Sequence, residues 1–175
     1  IRFTITKETQ DSFYAMFDLC EELNVDKLYI SHLVYSGRGK DNLEIDISKE
    51  QRKQYVEFII DKAFEYYKNG NNIDLVTGNM EMDAIMLLNR FKKEYPEFVE
   101  TLEKKLKAWG GNSAGYRLGN MDWAGNVKPD PFFPFIVGNY LQTPFDEVWT
   151  STKNDILNKL REHPRQIKGK CAQCK

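Results

Sequence analysis

The chain has 175 residues, 41% of them apolar and 29% charged, which is long enough to bury a real core and rules out a disordered or collagen-like chain. Its formal net charge is −1, so the overall balance calls for neither a nucleic acid nor an anionic membrane. No apolar run reaches the ~20 residues needed to cross a bilayer and no signal peptide opens the chain. A cytoplasmic location is expected.

Residues 1–6 (Ile-Arg-Phe-Thr-Ile-Thr) alternate apolar with polar side chains and read as a strand, entered rather than begun. With no initiator Met, and with a two-thiol motif one residue from the other end, we expect a piece of a longer protein. Phe13, Met16, Phe17, Cys20 and Leu23 recur at spacings of three and four, which predicts an amphipathic helix over residues 10–22. Cys20 lies on its apolar face and is expected in the core. Residues 27–34 form a second, more continuously apolar strand, as in a parallel sheet buried on both faces. Ser36-Gly-Arg-Gly39 then reads as a flexible loop.

Ser48 and Gln51 have the spacing of a capping box, and the stripe Tyr55, Val56, Ile59, Ile60, Ala63, Phe64 and Tyr67 predicts a long helix to about Lys68. A short strand over 73–77 and helices over 82–93 and 96–108 follow. Strands alternating with helices predict a parallel α/β sheet or part of a barrel. After Gly111 the character changes. Trp123-Ala-Gly125 is a plausible hairpin turn between residues 116–122 and 126–128, with Asp122 serving the turn. Thr143 is expected to cap a short helix that has Pro144 at its first position, and a last helix is expected over 152–161. Trp123, Phe132, Phe133, Phe135 and Tyr140 are expected to form the small core of this second module.

Cys171-Ala-Gln-Cys174 can present two thiolates to one metal. The spacing alone leaves structural zinc, an iron-sulfur cluster, a redox dithiol and plain surface thiols open. Basic side chains crowd this tail (Lys159, Arg161, Arg165, Lys168, Lys170, Lys175) against Glu162, and can lower thiol pKa values or favour an anionic cluster. Ser31 and His32 interrupt an apolar strand near the edge where β/α folds bind ligands, although a hydrogen-bonded core histidine explains His32 equally well. Arg38, between two glycines, can reach a carboxylate or phosphate, or simply be solvated.

In order along the chain, residues 1–6, Leu28-Tyr-Ile-Ser-His-Leu-Val-Tyr-Ser-Gly-Arg-Gly39, Gly110-Gly-Asn-Ser-Ala-Gly115 and Asn120-Met-Asp-Trp-Ala-Gly-Asn-Val-Lys-Pro-Asp130 carry a resemblance. It continues through Val137-Gly-Asn139, Pro144-Phe-Asp-Glu-Val-Trp149 and Lys168-Gly-Lys-Cys-Ala-Gln-Cys174. The chain resembles the C-terminal half of a radical S-adenosylmethionine enzyme with a SPASM or twitch extension, of the haem-pathway (NirJ- and AhbC-like) kind, with the AhbD-like proteins near relatives. The resemblance implies the last part of a partial (βα)6 TIM-like barrel with a helical extension over residues 1–109. A truncated, SPASM/twitch-like α+β hairpin domain over 110–175 follows it.

It further implies an enzyme that removes or decarboxylates side chains of a sirohaem-derived iron tetrapyrrole, 12,18-didecarboxysirohaem or iron coproporphyrin, with an electron donor such as ferredoxin or flavodoxin. The Cys-x-x-x-Cys-x-x-Cys loop of the radical-generating 4Fe-4S cluster is missing, so the piece itself is expected to be inactive. Cys171 and Cys174 would be two ligands of a single auxiliary 4Fe-4S cluster, because Asn112 and Asp130 stand where many such domains have further cysteines. Thr6, Leu33 and Val34 would lie beside S-adenosylmethionine, and His32 and Arg38 would face the substrate. A non-catalytic zinc or iron-sulfur module is the alternative.

Overall fold

A computed structural model describes residues 1–78 and 80–173. The chain divides into two compact units, 1–105 and 106–175. The first is a three-stranded parallel sheet with helical crossovers, and the second is built on a small antiparallel sheet.

In the first unit β1 (Arg2–Thr4), β2 (Lys27–Ser31) and β3 (Asp74–Gly78) lie in that order, with Phe3 opposite Ile30 and Leu28 opposite Leu75. The period of two puts Phe3, Leu28, Ile30 and Leu75 on one face, and these belong to or pack against the core. Helix α1 (Ala15–Glu22) adds Phe17 and Cys20, both buried; burial raises the Cys20 thiol pKa, in keeping with a core residue. Phe13 sits at the centre, its ring 5.4 Å from Phe17 and 4.4 Å from Tyr55. Such aromatic pairs add about 0.5–1.5 kcal/mol beyond simple burial.

Helix α2 (Lys49–Asn69) begins at the expected box: Ser48 Oγ accepts from the Gln51 N–H at 3.1 Å, and Gln51 Oε1 accepts from the Ser48 N–H at 3.0 Å. It ends at Gly70, whose φ of 69° is the left-handed conformation that glycine adopts without steric cost. Helix α3 (Met82–Glu94) is tied to α2 by Arg90, which reaches Glu57, and Asp61 at 2.6 Å. Helix α4 (Val99–Trp109) follows a 3-10 turn at Pro96–Phe98.

Residues expected to be a flexible loop after β2 instead form 3-10 turns over Gly37–Ile45. Gly39 is required there: a Cβ at that position would stand 1.9 Å from the Val34 carbonyl oxygen. Strand β2 also ends at Ser31, earlier than the apolar run suggests.

In the second unit β4 (Asn120–Met121) and β5 (Asn126–Lys128) form the expected hairpin, and β6 (Gly138–Asn139) joins β5 as an unexpected third strand. Its core is not the anticipated aromatic cluster. Trp123 is 98% exposed, and Phe132, Phe135 and Tyr140 are also exposed, whereas Val127 and Leu157 are fully buried and Val148 is buried as well. Strands of two or three residues offer too small a pleated surface to cover rings of that size, so aliphatic side chains fill the space instead. Helix α5 (Phe145–Thr150) has Pro144 rather than Thr143 at its N-cap. Helix α6 (Asp155–Arg161) is capped by Asn154, whose side chain accepts from the N–H groups of Ile156 and Leu157, both at 3.1 Å.

Candidate functional site

Parallel strands deliver their carboxyl ends to one edge, and in α/β sheets that edge is where ligands bind. Here the Ile5 N–H donates to the Ser31 carbonyl at 3.0 Å and the His32 N–H to the Gly78 carbonyl at 3.2 Å, so all three strands end at one level. The chain leaves that edge through Thr6, His32 and the turn into α3.

His32 is 2% exposed, and its Nε2 lies 2.9 and 3.1 Å from the two carboxylate oxygens of Asp83. Asp83 is in the first turn of α3, where the exposed N–H groups and the helix dipole favour a carboxylate. A carboxylate accepting from Nε2 fixes the orientation of the imidazole and joins the end of β2 to the start of α3.

A second buried group anchors the segment that follows. Asp46 Oδ2 accepts from Arg52 Nη2 at 2.6 Å and from the Tyr35 hydroxyl, while Oδ1 accepts from the Ile47 N–H at 2.9 Å. Burial alone would raise the Asp46 pKa, but the donors Tyr35 and Arg52, together with the Arg52 charge, hold it below the ordinary carboxylate value. The Tyr35 hydroxyl is correspondingly harder to ionise, first because it donates to Asp46 and then because it is desolvated. The group clamps both ends of the 3-10 segment to α2.

Thr6 is buried and its hydroxyl lies 3.1 Å from that of Thr9, which also accepts from the Thr6 N–H at 2.9 Å. Leu33 and Val34 are half-buried just past β2, with the Val34 carbonyl accepting from the Ser36 N–H at 2.9 Å. Thr6, His32, Leu33 and Val34 thus collect at the same edge. Arg38 stands apart, exposed on the 3-10 segment, with its carbonyl accepting from Asn42 Nδ2 at 2.9 Å.

In the second unit Asp122 accepts from the N–H groups of Ala124 and Asn126, each at 3.0 Å, which is the expected turn chemistry. Asn126 is the main cause of the low Asp122 pKa. Asn112 and Asp130 serve their own loops: Asn112 Oδ1 accepts from the Ala114 N–H at 2.6 Å and Asp130 Oδ1 from the Phe132 N–H at 2.8 Å. Cys171 lies within a 3-10 turn at Gly169–Gln173, but its side chain and the whole of Cys174 lie outside the described residues. Among the described residues no three His, Cys, Asp or Glu side chains are grouped to hold a metal ion, and no helix is long and apolar enough to cross a membrane.

Sequence reasoning missed Asp83, Tyr35, Asp46 and Arg52. Arg52 carried a signal, since it occupies the buried side of α2 three residues before Tyr55, where an unpaired cation is costly and a carboxylate partner is required.

The pre-haem d1 synthase of Dinoroseobacter shibae is 39% identical over 99% of this chain, and the Fe-coproporphyrin III synthase of Methanosarcina barkeri is 32% identical over 100% of it. A third relative, the AdoMet-dependent haem synthase of Methanosarcina barkeri, is 25% identical over 99%. The chain is homologous to part of each of these three haem-pathway synthases. It spans only 44%, 45% and 47% of the length of these three haem-pathway relatives, respectively. No family model matches the chain, and no solved structure matches it.

Proposed function

We propose that the chain is the C-terminal half of a radical S-adenosylmethionine enzyme of haem or haem d1 biosynthesis that removes or decarboxylates side chains of a sirohaem-derived iron tetrapyrrole. The observation that carries this is similarity over the whole chain to three synthases of that chemistry, at up to 39% identity. The gathering of Thr6, His32, Leu33 and Val34 at the carboxyl edge of a parallel sheet supports it, because a barrel-type enzyme binds its cofactor and substrate on that side.

In this reading residues 1–109 are the last part of a partial barrel and 110–175 a SPASM/twitch-like domain. Leu33 and Val34 flank the adenine of S-adenosylmethionine and Thr6 its ribose. Arg38, exposed and carrying a planar fork of donors, takes a carboxylate of the macrocycle. His32, buried and held by Asp83, fixes the end of β2 on the substrate side. Cys171 and Cys174 supply two thiolates to an auxiliary 4Fe-4S cluster, which is the chemistry that a Cys-x-x-Cys donor pair suits. The cofactor, when bound and reduced by a second cluster upstream, supplies a 5′-deoxyadenosyl radical; ferredoxin or flavodoxin is the expected donor, and the piece alone is inactive.

The test is anaerobic reconstitution of the full-length protein with iron and sulfide. A brown, oxygen-sensitive product that cleaves S-adenosylmethionine to 5′-deoxyadenosine and alters a sirohaem-derived tetrapyrrole is expected. A colourless zinc adduct without cleavage would instead make residues 110–175 a non-catalytic metal-binding module and overturn the proposal.

A further inference from the structure

The second unit holds a feature that the cluster reading leaves unused. Lys107, Arg117, His163 and Arg165 line one cleft of about 190 Å³, together with the Gly110–Ser113 loop, and no Asp or Glu is among its lining residues. A neighbouring cleft of about 280 Å³ is lined by Met121, Phe145 and Trp149. Tyr116 and Arg117 line both clefts and form the ridge between them.

The two clefts differ in chemistry. One is cationic. The other is aromatic: Phe145, 39% exposed, stacks on Trp149 at 5.6 Å and 15°, Trp149 in turn lies 5.0 Å from the Arg161 guanidinium, and Tyr116 is 46% exposed. Two of the arginines near this surface are committed to structure. Arg161 donates to the carbonyls of Gly115 and Trp149, at 2.8 and 2.6 Å, and Arg165 to those of Leu160 and Asn112, at 2.9 and 2.6 Å. Arg117 is exposed, with its guanidinium 5.3 Å from the Tyr116 ring centre, an arrangement that holds a planar donor fork at the mouth of both clefts.

From this juxtaposition we infer that residues 106–175 carry a binding site for a flat polycarboxylate, with the rings of Tyr116 and Phe145 against its plane and the Arg117 guanidinium on its carboxylates at the mouth of the cationic cleft. An aromatic surface beside an acid-free cationic cleft selects a ligand that is planar and anionic at its rim, because each half alone would accept simple aromatics or simple anions. Within the function proposed above, on which this rests, the ligand is the iron tetrapyrrole, and the site holds its peripheral carboxylates.

The experiment is a visible-absorption titration of the full-length protein with iron coproporphyrin III, a tetracarboxylate, comparing wild type with Arg117→Glu, Arg117→Lys and Phe145→Ala. Charge-assisted hydrogen bonds of this kind imply at least about tenfold weaker binding for Arg117→Glu, most of the affinity kept by Arg117→Lys, and an intermediate loss for Phe145→Ala. Added salt should weaken the wild type more than Arg117→Glu. If the wild type binds while Arg117→Glu and Phe145→Ala bind equally well, this site is wrong and the haem-pathway reading stands. If the wild type binds no iron porphyrin, the reading falls and takes the site with it. Altered cluster absorption with unchanged porphyrin affinity would assign the positive charge to the cluster and overturn the inference. Should Arg117→Glu fail to fold, wild-type affinity that is independent of salt would overturn it as well.

Discussion

Replacing Asp46 by Ala removes one carboxylate that three donors share. Arg52 is 8% exposed and its Nε already has no hydrogen-bond partner among the described residues, so the substitution leaves a buried cation with no counter-charge. The Tyr35 hydroxyl and the Ile47 N–H lose their acceptor at the same time. Removing one partner of a buried ion pair typically costs about 3–5 kcal/mol. Hydrogen exchange read by mass spectrometry over residues 35–52 reports this directly, because local opening sets the protection of those amides. The expected loss of protection is roughly two to three and a half decades, at about 1.4 kcal/mol per decade, unless global unfolding limits it first. The double change Asp46→Asn with Arg52→Met should recover most of that loss, since it leaves no buried charge behind. Protection within twofold of wild type in Asp46→Ala would refute the reasoning, as would a double variant no better than the single one.

Three further outcomes follow from the same geometry. The Asp46 pKa is depressed in the folded state, so its contribution is complete above the ordinary value of 3.8 and disappears as pH falls through the folded value; an acid titration of stability should show a loss that Asp46→Asn lacks. Gly39→Ala drives a methyl into the Val34 carbonyl and should destabilise the 3-10 segment by about 1–3 kcal/mol, visible as faster proteolysis near residues 36–45 with α2 unaffected. Ser48→Ala removes the capping box and should cost about 1 kcal/mol in urea unfolding, whereas Ser48→Asp should retain most of it.

Features written in neighbouring residues were legible in the sequence. The Ser48-x-x-Gln51 box, the helical stripe of α2 and the turn chemistry of Asp122 each depend on contacts within a few positions, and each is present in the structure. Alternation of three strands with helices likewise led to a parallel sheet. What was not legible depends on partners distant in the chain or on solvent. Asp83 lies 51 residues from His32, so no local pattern couples them. The order in residues 37–45 comes from Asn42 on the Arg38 carbonyl and from the Asp46 clamp, where Ser-Gly-Arg-Gly by composition suggests only flexibility. Strand β6, with Gly138 and only two residues, has almost no β propensity; it pairs because a glycine admits Val148, whose Cγ1 would sit 2.5 Å from any Cβ there. The aromatic residues of 123–140 misled because hydrophobicity was read as burial, and exposed rings are common where a surface has something to bind.

Asn112 and Asp130 bring one more consequence. Each spends a side-chain oxygen on closing its own loop, at the positions where the resemblance expects thiols in relatives with two auxiliary clusters. These loops are therefore self-buttressed, and exchanging either residue for cysteine would remove the oxygen acceptor that closes the backbone turn. Turn closure at residues 112–114 and 130–132 thus ties both positions to short side chains that carry an oxygen acceptor, whatever else these loops come to hold.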